Sequence, residues 1–197
     1  MSNGRQAGFE VVQTQEVYRG WTRLLTAKLR SVDGVTLDRE IEDHGEAVCV
    51  LAYHPARKTA VLVRQMRAPV LFAAGAEETL EAIAGLMEKT KDGNDAGACA
   101  RREAMEEAHL SLDALEPVLT GWTMPGLSTE RMHFFFATYS GAARSDMAAG
   151  AAHENESTIA VEIGLSDLAR MADAGELTDV KTLLLVQTLR LRRPELF

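Results

Sequence analysis

Cysteine is scarce in this sequence of 197 residues, where Cys49 and Cys99 are the only two. Two isolated cysteines exclude a disulfide framework and a cysteine-based zinc site, so we expect small buried side chains in a reducing compartment. Long apolar runs are also lacking: no stretch reaches the roughly 18 residues needed to cross a membrane, and the N-terminus has no apolar signal core. We therefore expect a cytoplasmic protein with no membrane partner.

Basic charge is in deficit, because 29 Asp and Glu outnumber 21 Lys and Arg and leave a net charge of −8. Binding of a nucleic-acid polymer requires a basic stripe, so this class of partner is excluded. A small anionic ligand stays compatible if a local basic pocket or a divalent cation offsets the negative field. The apolar fraction of 46% and charged fraction of 25% are typical of a globular protein with one main domain.

The first half of the sequence has the pattern of β-strands. The Asp33-Gly34 pair between two alternating segments indicates a hairpin. Downstream, Asn94 or Asp95 can cap a helix that ends near residue 108. The pattern further predicts strands at 47–53, 59–65, 117–123, 131–139 and 158–163, a loop at 140–157, and two C-terminal helices, the first capped by Ser166 and ended by Gly175. This order of elements predicts an α/β sandwich with a mixed sheet between helices.

The stretch ACARREAMEEAHL, residues 98–110, has acids at Glu103, Glu106 and Glu107. On a helix, Glu103 and Glu107 lie one turn apart on a single face, and Arg102 is placed to pair with Glu106 at i+4. Neighbouring carboxylates repel one another unless a cation lies between them, and Mg²⁺ prefers oxygen ligands of this kind. The spacing therefore permits a metal site, although taken alone it favours a solvated helix face.

Together with Gly85, this stretch resembles the Nudix hydrolase motif, G-x5-E-x7-R-E-U-x-E-E-x-G-U with U aliphatic. The second half of the motif is matched by Arg102, Glu103, Ala104, Glu106, Glu107 and Leu110. The first half departs from it, because Gly85 lies seventeen residues before Arg102 where the motif has fourteen. The first Glu of the motif consequently falls on Asn94 or Lys91, depending on the direction of counting, and its late Gly is His109.

The resemblance extends over about residues 16–192 to the ADP-ribose and GDP-mannose pyrophosphatase branch of this superfamily. The segments that carry it follow in the order of that branch: residues 39–69, LEAIAG, TMPGLSTERMHFFFATY, ENESTIAVEI and LARMADAGELTDVKTLLLVQTLR. It implies a Nudix fold, an α/β/α sandwich with a mixed β-sheet, over residues 46–197. It further implies an N-terminal β-hairpin region over residues 1–45, exchanged between the two chains of a homodimer.

The function that the resemblance implies is metal-dependent hydrolysis of the P–O–P bond of a nucleoside diphosphate sugar, such as ADP-ribose or GDP-mannose, to two monophosphates. Two alternatives stay open. A Nudix-fold protein that senses such a ligand without cleaving it is favoured by the altered first half of the motif. A hydrolase of another nucleoside diphosphate derivative, such as a dinucleotide or a coenzyme A derivative, is the other alternative.

The resemblance also implies roles for individual residues. The metal ligands are the carbonyl of Ala84 and the carboxylates of Glu103, Glu107 and Glu156, with Mg²⁺ as the cation and Mn²⁺ compatible as well. Glu130 and Glu156 are the alternative general bases, since geometry decides between them, and Glu106 is a further ligand or a positioning acid. Arg67, Arg64 and Arg39 are the expected substrate-binding residues, because a guanidinium grips phosphate oxygens. Glu81 is expected to pair with Arg102 or to act directly in catalysis, and the five histidines form no metal-ligand spacing.

Overall fold

The chain divides into two compact units in a computed structural model that describes residues 8–141, 148–149 and 158–197. The first unit consists of Met1–Glu46 and Gly121–Arg131, and the second of Ala47–Thr120 and Met132–Phe197. The predicted division into residues 1–45 and 46–197 stays a prediction, and it did not include Gly121–Arg131 in the first region. Within the described residues, no helix is both long and apolar enough to cross a membrane.

The first unit contains a three-stranded antiparallel sheet of β1 (Phe9–Arg19), β2 (Arg23–Ser31) and β3 (Thr36–Asp43), in that order. The predicted hairpin is confirmed: β2 and β3 pair along their length, and Gly34 has a φ of 83°, a conformation that glycine adopts without steric cost. Strand β1 was not predicted from the sequence. Nearly all of its side chains are exposed, so the alternating burial that reveals a strand is missing.

The second unit is built on an eight-stranded sheet. Its strands are β4 (Glu46–His54), β5 (Thr59–Gln65), β6 (Thr79–Glu81), β7 (Ile83–Leu86), β8 (Leu112–Trp122), β9 (Arg131–Tyr139), β10 (Ala148–Ala149) and β11 (Thr158–Gly164). The order is β10-β11-β5-β4-β9-β8, with β6 paired to β5 and β7 paired to β4. The helices are α1 (Ala68–Ala74), α2 (Lys89–Asp92), α3 (Ala96–Ala108), α4 (Leu165–Asp173) and α5 (Val180–Arg192), followed by a 3₁₀ turn at Pro194–Leu196.

Helices cover both faces of this sheet, as the alternation along β4 shows. Cys49, Leu51 and Tyr53 pack in one apolar cluster with residues of α4 and α5, whereas Val48, Val50 and Ala52 pack in a second cluster with α3. Successive side chains of a strand point to opposite faces, so two clusters on alternating residues require two covering layers. The predicted α/β/α sandwich is confirmed, and both cysteines are free and buried as expected.

Several local predictions need correction. Helix α4 begins at Leu165 after Gly164, so Ser166 lies in its first turn rather than at its cap. The elements α1, β6, β7 and α2 were not predicted, because each has only three to seven residues, too few for a clear period. Within the predicted loop at 140–157, Ala148–Ala149 form a strand paired with β11, and residues 142–147 and 150–157 lie outside the described residues.

Candidate active site

Helix α3 carries the acidic stretch on a face that the rest of the second unit partly covers. Asp95, one of the two predicted caps, accepts a hydrogen bond from the Gly97 N–H at 2.8 Å and begins the helix. Glu103 and Glu107 are only 8% and 6% exposed, so these two acids are not on a solvated face. The helix ends at Ala108 and is capped by His109, which occupies the late glycine position of the motif and has a left-handed φ of 49°.

Arg102 connects α3 to the segment before it. Its Nε donates to Asp92 Oδ1 at 2.8 Å and its Nη2 donates to Asp92 Oδ2 at 2.7 Å, which is a bidentate ion pair. The same guanidinium lies 2.9 Å from Glu106 Oε2 and 2.8 Å from Glu103 Oε1, and it donates to the Leu86 carbonyl at 3.1 Å. The predicted Arg102–Glu106 pair is confirmed, and Arg102 orients two of the three acids of α3.

Asp92 is the acid upstream of α3 that forms the bidentate pair with Arg102. It ends the short helix α2, where its Oδ2 also accepts from the Glu88 N–H at 2.9 Å. The hydrogen bonds from Arg102 hold the pKa of this carboxyl at about 2, although burial alone would raise it. Asn94, which counting placed at the acidic position, is exposed. Counting along the motif gives Asn94 or Lys91, whereas the acid that pairs with Arg102 is Asp92, which lies between them in the sequence.

Strand β7 approaches the acids of α3 through its backbone. A Cβ on Gly85 would overlap the carboxylate of Glu103, so glycine here leaves room for that side chain in its present position. Glu107 Oε2 accepts from the Ala84 N–H at 3.3 Å, and the Thr158 hydroxyl donates to the Glu107 carbonyl at 3.2 Å. Ala84, Glu103 and Glu107, three predicted metal-binding residues, thus lie together.

The donor chemistry of this group fits a hard divalent cation. Two buried carboxylates one helical turn apart, beside a strand backbone, offer oxygen ligands of the kind that Mg²⁺ and Mn²⁺ accept. No three His, Cys, Asp or Glu side chains of residues 8–141, 148–149 and 158–197 converge as a metal-ligand set. Glu156, the fourth predicted ligand, lies outside the described residues, and the metal role of all four stays a prediction.

A second charged group surrounds Glu81 at the end of β6. Arg67 donates from Nε and Nη2 to the two carboxylate oxygens at 2.9 and 3.0 Å, and Thr79 donates to Oε1 at 2.5 Å. Lys181 Nζ lies 3.4 Å from Glu81 Oε2 and 2.6 Å from Asp179 Oδ1. Burial would raise the pKa of Glu81, but these cationic partners lower it to about 2. Glu81 therefore pairs with Arg67 and Lys181, and the expected pair with Arg102 was wrong.

The other predicted residues have separate positions. Arg64 is exposed on β5. Arg39 is exposed on β3 of the first unit, where its Nη1 donates to the Asp38 carbonyl at 2.8 Å. Glu130 is also in the first unit, and its Oε1 accepts from the Thr123 hydroxyl at 2.6 Å. The catalytic and substrate-binding roles of these residues stay predictions.

The chain is similar over most of its length to bacterial enzymes named GDP-mannose pyrophosphatase. It is 35% identical to the one from Cronobacter sakazakii (86% of this chain, 87% of the relative) and 33% identical to one from Escherichia coli O1:K1 (85% and 86%). The relative from Yersinia pestis is 32% identical, with 90% of this chain and 89% of the relative covered. No family model matches the chain. The chain belongs to the Nudix hydrolase family that includes the GDP-mannose pyrophosphatases.

Solved structures agree with this fold. The crystal structure of an ADP compounds hydrolase matches with a TM-score of 0.66, covering 92% of this chain and 94% of that chain. The sequence identity of this pair is 18%, so the likeness concerns the fold alone.

We predict that Asp92→Asn lowers the free energy of unfolding by about 2 kcal/mol at pH 7. The variant loses the carboxyl whose pKa falls from 3.8 to about 2 on folding, and one pKa unit corresponds to roughly 1.4 kcal/mol. The pKa of Asp92 is lower in the folded state than its ordinary 3.8, so this stability is present above pH 3.8 and is lost as the pH falls through about 2. The difference between wild type and variant should therefore shrink to about half at pH 3. Urea unfolding at both pH values measures it, and a difference that does not depend on pH would contradict the ion pair.

We predict that Gly85→Ala lowers the affinity for Mg²⁺ without lowering the stability of the fold. The added methyl group displaces the flexible end of Glu103, so the fold should persist while Mg²⁺ affinity falls by about 10-fold or more. Calorimetric titration of Mg²⁺ and a thermal melt measure the two effects. Gly8→Ala is the control, because a Cβ at Gly8 meets no atom within 4 Å. Unchanged Mg²⁺ affinity in Gly85→Ala would remove Glu103 from the metal site.

Proposed function

We propose that this protein hydrolyses the diphosphate bond of a nucleoside diphosphate sugar to two monophosphates, with GDP-mannose as the first substrate to test. The observation that carries the proposal is the position of Glu103 and Glu107, buried on one face of α3 beside Gly85 and Ala84. The names of the relatives support the substrate class. ADP-ribose and related nucleotide sugars are the next substrates in order.

The residues of the second unit have the chemistry for binding a diphosphate and its metal. Glu103, Glu107 and the Ala84 carbonyl would hold Mg²⁺ or Mn²⁺, with Glu156 as a further ligand. When bound, the cation neutralises the diphosphate and lowers the pKa of an attacking water. Arg67 has its guanidinium plane fixed by two hydrogen bonds to Glu81, which favours bidentate recognition of phosphate oxygens. Arg64, and Arg39 of the first unit, are additional candidates for substrate binding.

Proton transfer needs a carboxylate that is held within reach of a water. Glu130 fits this role, since one of its oxygens is already fixed by Thr123 and its side chain is 19% exposed. Glu156 stays the alternative base, and Glu106, held by Arg102, serves as a positioning acid or a further ligand. Glu81 is a poor candidate for a base, because a pKa of about 2 leaves it little tendency to take a proton near neutral pH.

The alternative of a sensing protein without hydrolysis depended on the altered first half of the motif. Asp92 weakens that argument, because it supplies the acid that pairs with Arg102 despite the extra residues upstream. Hydrolysis of another nucleoside diphosphate derivative stays the second alternative. We further propose a cytoplasmic location, in keeping with the two free buried cysteines.

To test hydrolysis, the protein is incubated with Mg²⁺ and a panel of GDP-mannose, ADP-ribose, a dinucleotide and a coenzyme A derivative, and release of monophosphates is followed. We expect turnover of a nucleotide sugar, and a loss of more than about 100-fold in Glu107→Gln, because a direct ligand contributes more than outer residues do. Glu176→Gln removes an exposed acid and is the control. Without turnover of any compound the sensing alternative replaces hydrolysis, and full activity of Glu107→Gln removes that residue from the metal site.

We also propose that the protein is a homodimer in which the sheet β1–β3 takes part in the interface. Strand β1 exposes Phe9, Val11, Val17 and Tyr18 to between 50% and 60%, which is apolar surface that a second chain would cover. Light scattering after size exclusion should give twice the 21.5 kDa mass of the chain. Val11→Glu with Val17→Glu should give the monomer mass, and a wild-type monomer would contradict the proposal.

A further inference from the structure

We propose that His44 is a positioning residue for Glu130, and the inference rests on the proposed hydrolysis with Glu130 as base. The imidazole Nε2 lies 3.6 Å from Glu130 Oε2, while the Thr123 hydroxyl donates to the other oxygen, Oε1, at 2.6 Å. Each carboxylate oxygen thus has its own neighbour. The side chains of His44 and Glu130 are only 14% and 19% exposed, so water screens their interaction little.

The imidazole of His44 is itself held in place from several sides. The backbone N–H of His44 donates to the Thr129 hydroxyl at 2.9 Å, and the indole of Trp21 lies against the imidazole ring at a centroid distance of 5.2 Å. The second ring nitrogen, Nδ1, lies 4.0 Å from Glu42 Oε1, which accepts from the Thr22 hydroxyl at 3.2 Å. The ring is therefore oriented with one nitrogen towards Glu42 and the other towards Glu130.

The backbone joins the two segments that carry His44 and Glu130. The Glu42 N–H donates to the Leu127 carbonyl at 2.9 Å, and the Thr129 N–H donates to the Glu42 carbonyl at 2.8 Å. Beyond them, the Arg131 N–H donates to the Gly45 carbonyl at 3.1 Å. These bonds lie before and after both residues in the sequence, so the backbone fixes the relative position of His44 and Glu130.

A neutral imidazole can donate one N–H, and an N–H at Nε2 would point towards Glu130. The separation of 3.6 Å is longer than a direct hydrogen bond, so a rotation of the carboxylate or one bridging water would connect the two groups. A donor at this position fixes the direction in which the other oxygen of Glu130 accepts a proton. His44 therefore acts through Glu130 and does not itself contact the reacting atoms.

The test compares His44→Leu and His44→Gln in the full-length protein on the nucleotide sugar that it hydrolyses best. We expect His44→Leu to lower kcat by about 10-fold with little change in KM, because misplacement of a catalytic group affects the chemical step. His44→Gln keeps an N–H donor and should restore most of kcat. His54→Leu, which removes a histidine from the end of β4, away from Glu130 in the sequence, should leave kcat unchanged.

A double-mutant cycle assigns the effect to Glu130. Glu130→Gln alone should lower kcat by about 100-fold or more, as is typical of the loss of a general base, and adding His44→Leu should lower it no further. If the two effects are additive, or if His44→Leu is fully active while Glu130→Gln is impaired, only the role of His44 is overturned. Full activity of Glu130→Gln would instead overturn the assignment of Glu130 as base.

A crystal structure of His44→Leu tests the positioning role independently of any enzymatic activity. We expect the Glu130 carboxylate to turn away from its position beside the Thr123 hydroxyl. If the carboxylate keeps that position, His44 does not orient it and the proposal is overturned. This measurement remains valid even if the protein hydrolyses no nucleotide sugar. Absence of hydrolysis would contradict the proposed function, whereas an unmoved carboxylate would contradict the positioning role.

Discussion

The ion pair between Arg102 and Asp92 is the interaction on which the rest of the candidate site depends. A largely buried guanidinium is costly unless its N–H groups are paired, and here Asp92 takes two of them while the Leu86 carbonyl takes a third. With its plane fixed in this way, Arg102 can contact Glu103 and Glu106 one turn apart. The acids of α3 would otherwise repel one another and spread. The ion pair therefore sets the shape of the acidic group.

The sequence predicted the helix of this site but misplaced its acidic partner. Asp95, the run of helix-forming residues and the i+4 spacing are local properties, so the helix at Ala96–Ala108 and the Arg102–Glu106 pair followed from them. The partner of Arg102 lies across an insertion, and counting from either end misses it by one or two residues. Gly93, with a φ of 63°, turns the chain between α2 and α3, and that turn determines which acid reaches Arg102. The backbone conformation at Gly93 therefore decides that Asp92 contacts Arg102, and counting residues along the motif could not predict this contact.

Glu81 shows the same limit over longer separations. Its partner Arg67 follows β5, and the register that pairs Val63 with Glu81 and Gln65 with Thr79 is what places both side chains together. Lys181 lies 100 residues further along the chain and reaches Glu81 from the start of α5. Residue types indicated that Glu81 would form an ion pair, but its partner depends on strand register and helix docking. The alternating strands β4 and β5, by contrast, were evident from their own sequence.

The balance of charge in the second unit explains why a cation belongs to the proposed reaction. Arg67 and Lys181 are balanced by Glu81 and Asp179, so this group has no net charge. Around α3, the three carboxylates of Asp92, Glu103 and Glu106 contact one guanidinium, that of Arg102, so the acids of this group outnumber its cation. An anionic diphosphate would be repelled by such a group. Divalent cations bound by Glu103 and Glu107 would reverse the local field, so the acids that repel the substrate alone would attract it through their metal.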